Sequence, residues 1–429
     1  MNIRRTAAVA ASILALSLGA YPQATQSTQA TDQKLLAKAR AIHEKAITLD
    51  THVDISGAQY ATPELDPGQE TNLKCDLVKM KRGGLDGVFL AVFVGQRNAL
   101  DAAGYKVAYD QAMVKFEAIH RLAEKMHPEL CQLAVSPDQV RQIAKTGKRA
   151  IMIGVENGYP IGTDLTNVQK FYDLGARYIT LSHSGHNQIC DSSSPAQPPI
   201  NNGVSEFGKK VVAEMNRLGM MIDVSHIAQK SFWDVVGLTK APIIASHSGC
   251  AALNPVDRNL TDEQLKALSK NGGVVQVVAL GSFLKAESPE RRQAMEAIAK
   301  ELGFRRPNRQ EMQAMTDAQR AEMEKKMAVY RERVSALDEK FPPATIGDFV
   351  DHIDHAVKIA GIDHVGIGTD FDGGGGIKGF NDDSEALNVT VELVRRGYSE
   401  KDIRKIWGEN LLRVWGEVEK AAARSKTAN

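Results

Sequence analysis

Cysteine is scarce and never paired at metal-binding spacing. Cys75, Cys131, Cys190 and Cys250 stand far apart with no Cys-x-x-Cys, so a thiolate metal site or a redox dithiol is not expected. No glycine-rich phosphate cradle occurs, and no Gly-x-Ser-x-Gly element that would expose a serine nucleophile. Charge of one sign is lacking as well: 53 basic residues face 52 acidic ones. That balance removes the electrostatic reason for a nucleic-acid or anionic-membrane partner, and no basic run is interleaved with the few aromatics. Past the first 20 residues there is no apolar stretch long enough to cross a bilayer. Internal repeats are absent too.

What is present is a globular composition, 43% hydrophobic and 24% charged over 429 residues, enough for one large α/β domain. Arg4 and Arg5 precede a short apolar run to Ala20, and the chain then turns polar at Tyr21–Thr31. This is the build of a secretory signal peptide, expected over residues 1–24 and implying a periplasmic or secreted protein without an integral membrane anchor. Residues 25–45 are expected to form a linker, over Gln23–Gln33, and then an amphipathic helix from Asp32. A single catalytic domain is expected over 46–420 and a frayed tail over 421–429. In an oxidising compartment four cysteines permit two disulfides in three connectivities. One or two bridges are expected, in a pairing that sequence cannot choose.

Short apolar, β-branched runs recur: 46–51, 87–94, 150–155, 178–181, 220–224, 242–245, 273–279 and 365–368. Runs of this length suit parallel strands buried on both faces. Helical patterns separate them at 105–125, 137–145, 165–174, 206–217, 228–237 and 261–270. Alternation of this kind predicts a (β/α)8 TIM barrel. A charged excursion over Glu287–Lys340 interrupts the rhythm before the last strand and reads as a helical pair at the barrel rim.

Most runs end in a residue able to do chemistry. The ends carry His52 and Asp54, Glu156, His183, His226, His247 and Asp370, at the end of a barrel strand where catalytic groups belong. His52 and Asp54, two apart in a strand, point the same way and can share a metal ion. Glu156 follows a purely apolar strand, where a carboxylate is costly unless paired or ligated, and its two oxygens can bridge two cations. With His226 and His247 these make five nitrogen and oxygen ligands without thiolate, a set that suits Zn²⁺ before Mn, Co or Fe. Two metals about 3.5 Å apart can hold a hydroxide and polarise a carbonyl. Asp370, in Gly368-Thr369-Asp370-Phe371-Asp372-Gly373, can take a proton from water and pass it to a leaving amine; Asp372 is its rival. His183 is cast as a donor to the substrate carbonyl, and Arg258, beyond the sixth run, suits a substrate carboxylate. His352 and His355 lack the glutamate of a metalloprotease helix. His43, His120, His127 and His364 read as core or surface residues, and His186 as a lesser lining candidate.

As an ordered set, His52-x-Asp54, Gly154-Val155-Glu156, Leu181-Ser182-His183, Ile222-Asp223-Val224-Ser225-His226, Ser246-His247-Ser248, Arg258-Asn259 and Gly366-Ile367-Gly368-Thr369-Asp370-Phe371-Asp372-Gly373 resemble the membrane (renal-type) dipeptidases of peptidase family M19. The resemblance covers residues from about 50 to 415. It implies a zinc held by His52 and Asp54, a second held by His226 and His247, and Glu156 bridging the two. It further implies substrate contacts from His183 and Arg258, proton transfer by Asp370, and hydrolysis of dipeptides, including those with a D-residue at the C-terminal position. It implies a homodimer as well. Two alternatives stay open at this point: an amidase or β-lactamase acting on another C–N bond, and a barrel that binds peptide or metal without turnover.

Overall fold

A computed structural model describes residues 23–194, 197–305 and 315–427; most of the expected signal peptide lies outside them. Nine strands form one parallel sheet: β1 (Leu49–Asp54), β2 (Gly87–Phe93), β3 (Cys131–Leu133), β4 (Arg149–Glu156), β5 (Ala176–Thr180), β6 (Met221–Asp223), β7 (Ile243–Ser248), β8 (Val274–Val277) and β9 (Val365–Ile367). Eight of them follow the path β1-β2-β4-β5-β6-β7-β8-β9. The path closes where Val53 bridges Phe371, through Asp54 N–H to Phe371 O at 2.9 Å and Asp370 N–H to His52 O at 3.0 Å. The (β/α)8 expectation holds. The ninth, β3, went unforeseen: it pairs with Arg149–Ile151 on the edge of β4 whose upper half, Ile153–Glu156, pairs with β5. Three residues are too few to carry a period.

Strand parity divides the core into two layers. In β4, Ile151, Ile153 and Val155 belong to the apolar layer shared with the surrounding helices. Met152 packs instead with Phe89, Tyr178, Met221, Ile244 and Val274, the alternate side chains that fill the barrel. Trp415, on the last helix, closes this inner cluster against Phe89, with ring centroids 5.8 Å apart. Counting by twos along β4 runs Met152, Gly154, Glu156, so the strand that fills the barrel also delivers a carboxylate to its mouth. Gly154 is a steric requirement: a Cβ there would sit 2.0 Å from Cζ of Tyr178.

The helices begin where side chains satisfy free N–H groups. Ser136 caps α4 (Pro137–Lys145) with Pro137 at the first turn; Ser205 caps α6 (Glu206–Leu218); Thr261 and Gln264 form a reciprocal capping box on α8 (Asp262–Lys270). The charged excursion contains helices Pro289–Glu301 and Asp317–Ser335, tied by Arg333 to Glu301 at 2.7 Å and by stacking of Phe304 on Tyr330.

Three expectations need correction. The first helix spans Gln23–His43, so helix replaces the linker expected at its start. The last helix runs on to Thr427, so the tail stays helical past residue 421, with Ala422 buried and Ala423, Arg424 and Ser425 exposed. All four cysteines are free and buried, not bridged. Each sulfur sits in its own neighbourhood: Cys75 beside Asp383, Cys131 against the His127 carbonyl at 3.5 Å, Cys190 beside Ser182 and Ser231, and Cys250 against the His352 carbonyl at 3.4 Å. Burial pushes the thiols of Cys131, Cys190 and Cys250 up to about 12, which keeps them unreactive.

Two measurements check this account. A thiol-specific reagent will find four reactive thiols after unfolding and none within minutes in the folded protein; a count of two or zero after unfolding without reductant would restore the disulfides. Gly154→Ala will lower unfolding free energy by about 1–3 kcal/mol in a urea titration, the usual cost of forcing atoms into a packed core.

Candidate metal centre

The strand ends converge on one open cavity of 620 Å³ lined by Asp54, Glu156, His183, His226, His247, Arg258 and Asp370. His52 closes it from behind, fully buried. Glu156 is the hub. Its Oε2 lies 3.4 Å from Nε2 of His52; its Oε1 lies 3.0 Å from His226, 3.5 Å from His247 and 3.7 Å from His183. Nε2 of His52 is also 3.7 Å from Asp54. Three groups of potential ligand atoms result: His52, Glu156 and His247; Glu156, His183 and His226; and His52, Asp54 and Asp370.

Backbone conformation aims two of these side chains. His226 (φ 67°) and Asp370 (φ 61°) occupy the left-handed region, uncommon for non-glycine residues. Such strain tends to gather at functional sites. Gly373 lets the following loop close over the carboxylates, since a Cβ there would lie 2.2 Å from Asp54 Oδ2 and 2.3 Å from Asp370 Oδ1.

The imidazoles are held from behind. Tyr178 donates its hydroxyl to Thr51 O at 3.1 Å and so accepts from Nδ1–H of His52 at 2.9 Å. The Ser246 hydroxyl donates to Asp223 at 2.6 Å and accepts from Nδ1–H of His247 at 2.9 Å. Thr180 and the backbone N–H groups of Ser225 and Ser246 complete the shell of Asp223. Both tautomers, assigned from these networks, leave Nε2 lone pairs facing the cavity.

That arrangement fits a cation. Nε2 of His226 and Nε2 of His247 face each other at 2.8 Å, and Nε2 of His52 is buried with no hydrogen-bond partner among the described residues. Burial, with Arg258 and the neighbouring imidazoles adding to it, holds His226 and His247 well below the ordinary histidine range, so both stay neutral and able to ligate. Burial also works against charge on His52 and Glu156, but Tyr178 and Glu156 raise His52 well above its usual value, so that a cation there would displace a proton from Nε2, and His52, His183 and His226 hold Glu156 well below. Burial raises Asp370 well above the usual carboxylate range, with Asp54 and Glu156 adding to the rise and His52 and Arg258 opposing it.

Arg258 is a buried part of the cavity wall. It donates to His247 O at 2.9 Å and Ser248 Oγ at 3.3 Å, and burial lowers it to about 10. Asp372 also reaches the cavity, but its carboxylate is taken by the Lys74 and Cys75 backbone N–H groups at 2.9 and 3.1 Å. It serves the loop. His186 binds Gln197 O and Ser192 N–H, away from the cavity. His43, His120, His127, His352, His355 and His364 likewise have partners elsewhere. The structure thus brings His52, Asp54, Glu156, His183, His226, His247, Arg258 and Asp370 together and leaves His186 outside. The supports Tyr178, Asp223 and Ser246 were missed, since only the folded barrel brings them behind the ligands. For Tyr178 a signal existed: it is the polar-tipped aromatic at inner parity opposite Gly154.

The sequence profile of membrane dipeptidases, peptidase family M19, matches residues 36–429. A Schizosaccharomyces pombe protein described as an uncharacterized dipeptidase is 29% identical over 91% of this chain and 85% of its own length. The dipeptidase tcpJ of Claviceps purpurea is 30% identical over 82% and 71%. Among solved structures, the probable dipeptidase PvdM from Pseudomonas aeruginosa superposes with a TM-score of 0.78 at 33% identity, covering 91% of this chain and 99% of that one. A metallo peptidase from Rhodobacter sphaeroides, liganded with a phosphinate mimic of the dipeptide L-Ala-D-Ala, gives 0.66 at 25% identity over 87% and 99%. With its barrel, its convergent imidazoles and carboxylates, and a match along nearly its whole length, the chain belongs to the membrane dipeptidase family.

Proposed function

We propose that the protein is a zinc dipeptidase that hydrolyses the single peptide bond of L,L- and L,D-dipeptides. The observation that carries this reading is Glu156, one buried carboxylate within 3.7 Å of four imidazole nitrogens. In this reading Glu156 is shared by two ions, one held with His52 and Asp54 and the other with His226 and His247. When bound, such a pair supplies electrophilic polarisation of a carbonyl and an acidified water.

The chain's own residues do the rest. His183, open to the cleft, donates a hydrogen bond to the scissile carbonyl oxygen as negative charge grows there. Arg258 receives the C-terminal carboxylate and fixes the register of the substrate. Asp370, whose affinity for a proton is raised by burial, accepts one from the attacking water and returns it to the departing amine. Asp54 and Asp370 together offer negative charge to the substrate's free α-amine, which explains a limit to dipeptides: a longer N-terminal extension would carry no ammonium there. The bound L-Ala-D-Ala mimic of the Rhodobacter sphaeroides neighbour supports tolerance of a D-residue at the second position. The same reading takes residues 1–24 as a secretory leader, on Arg4, Arg5 and the apolar run behind them, and a homodimer as the working form, on family likeness. Among the described residues no helix is long and apolar enough to cross a membrane.

Elemental analysis is expected to give two zinc per chain, with chelation abolishing activity and zinc restoring it. Glu156→Gln and Asp370→Asn should each lower kcat/KM by about three orders of magnitude or more; near wild-type turnover in either removes that residue from the reaction. A panel of L,L- and L,D-dipeptides set against N-acyl amino acids and β-lactams tests the substrate class. Preference for the last two would reassign the enzyme to another C–N bond, and turnover of none would leave a binding barrel.

A further inference from the structure

The cleft holds a second cation that the reading above does not use. Lys115 lies on the helix Ala102–His120 that follows β2 and lines the same cavity as Glu156 and Arg258. Its Nζ donates to Ile55 O at 2.7 Å and stands 5.6 Å from the centroid of the Phe93 ring. Phe93 in turn packs on His183, with centroids 4.6 Å apart. The ammonium is thus fixed over the ends of β1 and β2, half-buried, on an aromatic face that favours a cation.

Its position in the barrel matters. In the closed path β2 is second and β7 sixth, so Lys115 beside β2 and Arg258 beyond β7 stand across the mouth from one another, with the imidazole cluster between. One dipeptide has one C-terminal carboxylate, and Arg258 takes it. The seam of β9 with β1 places Asp370 next to Asp54, and these carboxylates draw the α-amine. The first residue's side chain then leaves from the β1 side of the cleft, where the next strand end is β2 with Phe93 and Lys115. Past these two residues a second cavity of 350 Å³ opens, sharing both as walls and otherwise lined by Gly57, Ala58, Val94, Gly95, Gln111 and Val114. It has room for a side chain several atoms long.

We infer that Lys115 is a specificity-determining residue that selects dipeptides with an acidic N-terminal residue, aspartate or glutamate, whose side-chain carboxylate meets its ammonium above Phe93. The inference rests on the dipeptidase reading. Phe93 supplies apolar contact to the β- and γ-methylenes, and the two opposed cations match the two carboxylates of an acidic dipeptide, while Asp54 and Asp370 match its single ammonium. A basic N-terminal residue would set like charges together, which is costly.

The test compares L-Glu-L-Ala with its near-isostere L-Gln-L-Ala, and with L-Lys-L-Ala, on the zinc-loaded wild type, Lys115→Met and Lys115→Arg. Wild type is expected to favour Glu over Gln by about tenfold in kcat/KM, the scale of one charge-assisted contact, and to disfavour Lys. Lys115→Met should bring the Glu/Gln ratio near unity by raising KM for the Glu substrate with little change in its kcat. Lys115→Arg, which keeps the charge, should retain the ratio. Equal kcat/KM for Glu and Gln in wild type overturns the inference even if Lys115→Met does not fold. So does a ratio unchanged in Lys115→Met, as expected if Lys115 only anchors Ile55. Failure to cleave any dipeptide would instead bring down the dipeptidase reading itself, and this inference with it.

Discussion

One buried negative charge organises this protein. Glu156 ends a strand that is apolar from Ala150 to Val155, in a place where an unpaired carboxylate would cost several kcal/mol. The fold meets that cost by bringing histidines from the ends of β1, β5, β6 and β7 around the same two oxygens. Each histidine then carries its own demand. A ring that must keep its lone pair forward needs a partner for its other nitrogen, so Tyr178 and Ser246 stand behind His52 and His247, and Asp223 stands behind Ser246. The polar network reaches two layers into the barrel before it meets Met152, Phe89 and the other inner side chains. Site and core are thus continuous: Gly154 is a glycine because Tyr178 must pass it to reach His52.

Charge complementarity extends the same logic outward. The ends of β1 and β9 bring carboxylates, Arg258 brings a guanidinium on the far side, and the imidazole cluster lies between. A short zwitterion with its amine and carboxylate a fixed distance apart is the natural complement of such a mouth. The membership of the chain in the membrane dipeptidase family and the polarity of its cleft agree independently.

Much of this was legible in the sequence, and the reasons differ by residue. A buried parallel strand is an unbroken apolar run, so the residue that breaks it marks the strand's C-terminal end; Glu156, His183 and His247 were visible that way. Asp54 followed from His52 by strand parity. The helical excursion was visible from its charge, and helices 137–145 and 206–217 from their period. What sequence hid was everything decided by contacts between distant segments. Tyr178 and Asp223 look like ordinary strand residues until β1 and β7 arrive beside them. The cysteines permitted disulfides in number alone; only the fold sends Cys75, Cys131, Cys190 and Cys250 to separate shells. The tail looked frayed because Ala422 is buried by packing that its own segment does not encode.

The joint between β9 and β1 has a consequence of its own. At this seam the backbone link is the pair of hydrogen bonds from Asp54 N–H to Phe371 O and from Asp370 N–H to His52 O, reinforced by Thr369 N–H to the Asp50 carboxylate and the Thr51 hydroxyl to Ile367 O. That joint carries His52, Asp54 and Asp370 of the candidate site. Warming that merely loosens the joint would part Asp370 from Asp54 while the remaining staves and their helices stay whole. Closure of the barrel and alignment of the cleft's paired carboxylates therefore depend on the same few atoms.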